Sequence, residues 1–389
     1  MKSTNIKFLL VFCAVLLIAG SLVAKDKPSF DLDWYGYFKL DGAYDQNLTS
    51  HGNFIMWVNQ RTNDADDEQF NMTHKQTRFG FKAVGNNYHD IDVMGNLEVD
   101  LYGSGGTENK ALLNLRHAYF SIKKQGLQLL AGQTWDLIAP LNPSTLNYSV
   151  LWNCGNLGFR RPQIRFGYSS NPGNPTVVSF AAGAFRTIGD DLISLSLSLD
   201  GESPDSQDDG TDAGIPSVQG YLDIKHTWTK GGSVRFGASG LYGQLKAETD
   251  QGNSETYKSW GGVGHLMVNL PGGYGFSGEV FTGTNLGKYN GGIGLNSQVD
   301  GLDAFGGWVS AWAQVAPTVK FSVGGGVDDP DEEKISSGRT KNTCFYGNIV
   351  FTVVPGANVG VEVAQWQTDY KDQDSAKNLR AQTSFILSF

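Results

Sequence analysis

From Leu32 to Phe389 the chain alternates polar and apolar side chains with a period of two, and the alternation is interrupted at regular intervals. That period belongs to strands with one wet and one apolar face. The predicted strands are Trp34–Tyr44, Thr77–Val84, Ile91–Tyr102, Leu112–Lys123, Leu127–Trp135, Gln163–Tyr168, Thr176–Arg186 and Val218–Trp228. The second half adds Ser233–Leu245, Trp260–Leu270, Tyr274–Thr284, Phe305–Val315, Val319–Val327, Thr343–Val354, Asn358–Asp369 and Asn378–Phe389. They make about sixteen segments, many near the length with which a tilted strand crosses a bilayer, and bacterial barrels use an even count. The connections alternate too. Lys124–Gly126, Asn171–Pro175, Pro271–Gly273 and Pro355–Ala357 are short, whereas Gln46–Gln76, Gly103–Lys110, Thr187–Pro216 and Asn285–Asp303 are long. Short turns at one end and long loops at the other describe an outer-membrane barrel.

The first residues have Lys2 and Lys7, an apolar run from Phe8 to Ala19, and small residues up to Ala24. This is the layout of a signal peptide, so residues 1–24 are read as an export signal and 25–389 as one barrel domain. Past Ala24 there is no apolar run long enough for a transmembrane helix. A chain without one can span lipid only as a closed barrel, because only helices and closed barrels satisfy every backbone group there.

Alternation assigns the faces. In Ile91–Leu101, Ile91, Val93, Leu97, Val99 and Leu101 oppose Asp92, Asn96, Glu98 and Asp100; in Thr77–Lys82, Phe79 and Phe81 oppose Arg78 and Lys82. A soluble sandwich alternates in the same way, so the closing strand decides. Leu379–Phe389 is amphipathic and ends on Phe, the usual finish of barrels delivered to the outer membrane. Trp135, Trp228, Trp260, Trp366 and Phe389 fall near predicted strand ends, which suits an interfacial aromatic girdle.

One connection stands apart. Between Trp135 and Gln163 the chain is rich in Asn, Pro, Ser and Gly yet keeps Leu141, Leu146, Tyr148, Val150, Leu151 and Trp152. Long loops that retain aromatic and aliphatic residues are packed against something and are often functional. We expect this one to fold into the lumen and narrow it.

Other chemistries are poorly represented. A net charge of -9 argues against nucleic acid as a partner. No phosphate-cradling glycine loop, Gly-x-Ser-x-Gly elbow or His-Glu-x-x-His helix occurs, so neither an enzyme nor a cofactor is expected. The acidic clusters Asp64–Glu68 and Asp328–Glu333 lack a calcium-loop spacing and read as solvated loops. Cys154 and Cys344 remain once Cys13 leaves with the signal, and one bridge between them is left open.

The stretches YGYFKLDGAYD, TRFGFKA, GNLEVDLYG, LRHAYF, LLAGQTWDLIAPLNPSTLNY and RRPQIRF resemble the DcaP-like trimeric porins, relatives in style of the phosphate-selective porins. The similarity lies mainly in Tyr35–Phe166 and the last strand. The resemblance implies a homotrimer of sixteen-stranded barrels in the outer membrane of a Gram-negative-type bacterium, passing small anions such as dicarboxylates past a basic constriction. Carried onto this sequence, that constriction would use Arg78, Arg116, Arg160, Arg161 and Arg165. An N-terminal coiled-coil extension, present in some relatives, has no room between Lys25 and Trp34. Lys39 and Asp100 on the wall, with Asn147 and Tyr148 on the loop, complete the expected solute-binding set. The expected fold is thus an all-β antiparallel barrel with an inward-folded loop, working as a passive channel for small polar or anionic solutes. The alternative is a structural or adhesive barrel whose lumen is plugged.

Overall fold

The structure, a computed structural model, describes residues 29–60, 67–85, 87, 89–103, 107–188, 209–229, 231–248, 254–295 and 301–389. The expected signal segment 1–24 and residues 64–66 of the first acidic cluster lie outside them. The strands are β1 (Phe30–Asp45), β2 (Gln69–Thr73), β3 (Arg78–Gly85), β4 (Asp92–Gly103), β5 (Leu112–Lys124), β6 (Leu127–Trp135), β7 (Arg160–Ser169) and β8 (Thr176–Phe185). They continue as β9 (Ser217–Thr227), β10 (Ser233–Glu248), β11 (Ser254–Leu270), β12 (Tyr274–Thr284) and β13 (Asp303–Ala316). The last four are β14 (Val319–Pro330), β15 (Arg339–Val354), β16 (Ala357–Tyr370) and β17 (Gln373–Ser388).

Sequential strands pair antiparallel all the way round, and β1 closes the sheet on β17 from Tyr37↔Ser388 to Asp45↔Arg380. Both β2 and β3 pair with β1, β2 along Asp41–Asp45 and β3 along Phe30–Tyr37. They are therefore two halves of one stave, and the closed barrel has 16.

That split corrects one expectation. Gln46–Gln76 reads as a single long loop, yet Gln69–Thr73 alternates, turning Phe70 and Met72 outward, and belongs to the wall. His74–Gln76 interrupts the pattern. At the break the Thr77 hydroxyl accepts from the Lys39 amide (3.1 Å) and donates to the Lys39 carbonyl (3.2 Å), replacing the missing ladder partner.

The outer face carries exposed apolar side chains round the ring, among them Phe38, Phe79, Phe120, Phe166, Phe180, Leu222, Phe236, Val280, Val309, Phe321, Phe345, Val363 and Phe385. An apolar belt on a closed antiparallel barrel is the surface such a barrel offers to lipid. The packed core lies inside instead. One cluster joins Ile55, Val58, Leu141, Leu151 and Cys154 to Trp308, Cys344, Tyr346 and Trp366 of the wall. A second joins Ile138 and Leu157 to Leu241, Val263, Phe281, Leu286 and Tyr289. Trp366 is thus not a girdle residue: it falls on the inward phase of β16, 1% exposed. Trp135 also packs inward, with Trp152 at 6.2 Å.

Cys154 and Cys344 are free thiols within the first cluster. Burial pushes the Cys154 thiol well above its ordinary range, so it stays protonated and unreactive.

Candidate functional site

The connection from β6 to β7, residues 136–159, runs inside the barrel rather than beyond its rim. Buried backbone N–H groups need acceptors, and the wall supplies them at intervals. Gln219 of β9 takes the amides of Leu137 (2.8 Å) and Ile138 (3.2 Å). Glu279 of β12 takes that of Leu141 (2.9 Å). Glu362 of β16 takes those of Leu146 (2.6 Å) and Asn147 (3.1 Å). Farther along, the backbone of Cys154 and Gly155 lies against Gly326 and Gly307, so closely that a Cβ on Gly326 or Gly155 would meet backbone oxygen. Trp152, just before that contact, and Phe159, just before β7, stand edge-on at 5.4 Å.

Asp136, at the root of the loop, is clamped from three sides. Arg161 pairs with it at 2.8 Å, the Phe159 amide donates to it at 2.9 Å, and Gln219 donates at 2.8 Å. The Arg161 guanidinium also stacks on Tyr289, 4.2 Å from the ring centroid.

On the opposite wall, five of the expected residues meet. A register shift between β4 and β5 sets Glu98 opposite His117 and Val99 opposite Leu115, leaving Arg116 as the extra residue of a β-bulge. Bulges re-aim side chains. Here Arg116 reaches two carboxylates, Glu98 at 2.7 Å and Asp100 at 2.7 Å. Arg78 approaches Glu98 at 3.4 Å. Tyr148, returning from the loop, donates its hydroxyl to Asp100 at 3.1 Å. Burial raises that phenol above its usual range, so it remains a neutral donor. Arg160 lies between Trp135 and Phe159, 4.7 Å from each ring, and its Nε and Nη1 have no hydrogen-bond partner. Arg78 and Arg116 therefore share the two carboxylates, and the buried Arg160 is a third guanidinium beside them.

The other four expected residues sit elsewhere. Arg161 is 0% exposed and braces the loop, so it lines nothing. Lys39 is also buried, its Nζ held by Gln76 (2.6 Å), the Leu146 carbonyl (2.9 Å) and Asp41 (3.3 Å). Asn147 knits the loop to the segment after β1, its Nδ2 donating to the Ile55 carbonyl at 3.0 Å. Arg165 stands lower on β7, half-buried, with Gln163 Oε1 at 3.3 Å.

Glu98, an inward-phase acid by alternation, belongs to the cluster with His117, Trp135 and Phe159, none of which is among the expected site residues. The sequence does carry a signal for the bulge. Outward-facing residues switch from odd numbers (Leu113, Leu115) to even numbers (Phe120, Ile122) across Arg116-His117. Asp328 departs from expectation as well. Instead of a solvated loop acid it is buried in β14, accepting from the Gly292 (3.1 Å) and Ile293 (3.3 Å) amides.

By sequence, no protein-family model and no curated protein matches the chain. Solved structures do. The outer membrane channel DcaP of Acinetobacter baumannii superposes with a TM-score of 0.73 at 20% identity, covering 93% of this chain and 98% of that one. The fold is that of a porin. An anion-selective porin from Comamonas acidovorans shares this porin fold with a TM-score of 0.58 at 12% identity, over 93% of this chain and 100% of that one. The trimer form of OmpT, an outer membrane protein of Vibrio cholerae, has a TM-score of 0.53 at 12% identity, over 92% of this chain and 99% of that one.

Proposed function

We propose that the chain is an outer-membrane channel through which small hydrophilic solutes diffuse passively, with a preference for anions such as dicarboxylates. The observation that carries this reading is the excess of guanidinium over carboxylate where the inward loop faces β3–β7. Charged side chains at a constriction set which ions pass, and an Arg fork suits a carboxylate. Arg78 has 22% of its side chain exposed, and the buried Arg160 keeps two unpartnered N–H groups, so neither is used up by the protein's own acids. The inner acids Asp41, Asp223, Glu279 and Glu362 are engaged, with Lys39, with Arg235 and with loop amides. The name of the Comamonas acidovorans relative, an anion-selective porin, agrees with this reading.

The working unit is a homotrimer exported by the 1–24 signal; the trimer form described for the Vibrio cholerae relative supports that stoichiometry. The test is single-channel recording in a planar bilayer under a salt gradient. Steps in threes with an anion-favouring reversal potential are expected. Stable insertion without current would overturn the channel in favour of a plugged barrel.

A further inference from the structure

A second piece of chain folds into the barrel. After β1, residues 48–59 double back as a small hairpin, closed by the bridge between Thr49 and Val58 and by the Ser50 amide, which donates to the Trp57 carbonyl at 3.1 Å. Its returning arm is seated on inward side chains of β15, β16 and β17. The Val58 amide donates to Thr368 Oγ1 (2.9 Å) and the Tyr370 hydroxyl donates to the Val58 carbonyl (2.7 Å). Asn342 Nδ2 donates to the Met56 carbonyl (2.6 Å), and Arg380 Nη2 to the Asn53 carbonyl (3.0 Å). The constriction loop holds Ile55 from below: the Ile55 carbonyl accepts from Ser149 Oγ at 2.7 Å and its amide donates to Asn147 Oδ1 at 3.3 Å. Ile55 and Val58 are 0% exposed, in the cluster with Leu141, Leu151 and Trp308. Loops that run over a surface leave backbone groups to water; this one has them paired to the wall, so it is part of the lumen.

The tip reaches the neighbouring wall. Asn53 Nδ2 donates to Glu108 Oε1 at 2.7 Å, and the Phe54 ring stands edge-on to Tyr102 of β4 at 5.4 Å and 5.2 Å from Tyr148. His51 stacks on Phe54 at 4.6 Å. His51, Phe54 and Met56 thus form one side of a cavity of about 460 Å³, bounded elsewhere by Tyr102 and Asn114 of the wall and Trp152 of the loop.

We propose that this hairpin is a second constriction element, which sets the largest solute admitted from the long-loop side while the arginine cluster sets its charge. The inference deepens the channel reading and rests on it. Bulk at the tip comes from rings and a thioether, so it excludes by size without adding to the field at the arginines.

The test is polymer exclusion in planar bilayers, with poly(ethylene glycol) of graded mass added to each side in turn. His51→Ala with Phe54→Ala trims the tip and leaves Ile55 and its bonds in place. Replacing 51–56 by an Asn-Gly turn, which closes two-residue hairpins, removes the tip. The size cut-off from the long-loop side should rise in that order, and the tip-less protein should conduct roughly twice as much as wild type, with the reversal potential unchanged. A cut-off and conductance equal to wild type in both variants would overturn the proposal. If the wild type passes no current, the channel reading falls and thiol labelling decides the hairpin's role. A reporter at Asn114→Cys, across the cavity, should then react with a bulky maleimide faster once the tip is trimmed, relative to a small one. An unchanged ratio would overturn the inference independently of conduction; Cys154 and Cys344, both buried, give the background.

Discussion

The inner wall of this barrel treats charge in two ways. On β9, β12, β14 and β16 the inward polar groups Gln219, Glu279, Asp328 and Glu362 accept backbone N–H groups of the loops packed against them. On β3, β5 and β7 the inward charges are Arg78, Arg116 and Arg160, gathered round two carboxylates and partly unsatisfied. The difference follows from what each sector faces. Where a loop lies on the wall, its buried amides need acceptors, so acids stand there and are saturated. Across the lumen the loop meets the wall with side chains, Tyr148 and Phe159, rather than with bare amides, and the cationic excess remains. A chain of net charge -9 can thus gather guanidinium groups on one inner sector, because many of its inner acids are used elsewhere.

Breaking the loop's root should have the largest effect. Arg161→Ala strands Asp136 in a buried setting, and loss of one partner of a buried pair costs about 3–5 kcal/mol. Thermal unfolding of the refolded barrel in detergent measures it. The partly exposed Arg78, replaced by Ala, should cost far less; equal losses would erase the distinction between the two sectors.

Removing Glu279 and Glu362 together, each to Ala, leaves buried loop amides without acceptors, at about 1–3 kcal/mol apiece. The expected outcome is a larger, noisier single-channel conductance with anion preference kept. Wild-type conductance would mean that the apolar clusters alone hold the loop. Smallest of all should be Lys341→Ala. Its pair with Asp329 is 2.8 Å long but nearly half exposed on both sides, and such pairs contribute about 0–1 kcal/mol. A marked loss of stability there would move weight from the lumen to the rim.

Much of this was legible in the sequence because the pleat repeats strictly. β6 and β12 begin and end where alternation places them, at Leu127–Trp135 and Tyr274–Thr284. Period two also put Glu98, Asp100 and Arg116 on one face. The missed strand β2 is five residues long and cut off from β3 by a break, too short for periodicity to register. The site was less legible, for a different reason. Alternation says that a side chain points inward and not what meets it there. Lys39, Asn147 and Arg161 point inward as expected, yet loop backbone and buried acids cover them. Only the path of residues 136–159 separates those braces from the partly exposed Arg78, and that path is set by glycines and carboxylates far away along the chain.

The most direct measurement compares reversal potentials, under the same salt gradient, for two variants on facing walls. Arg160→Ala should move the potential toward cations. Glu279→Gln, which keeps an acceptor for Leu141, should leave it where the wild type has it. A shift of equal size from the glutamate, or none from the arginine, would contradict the division of the wall on which the account depends.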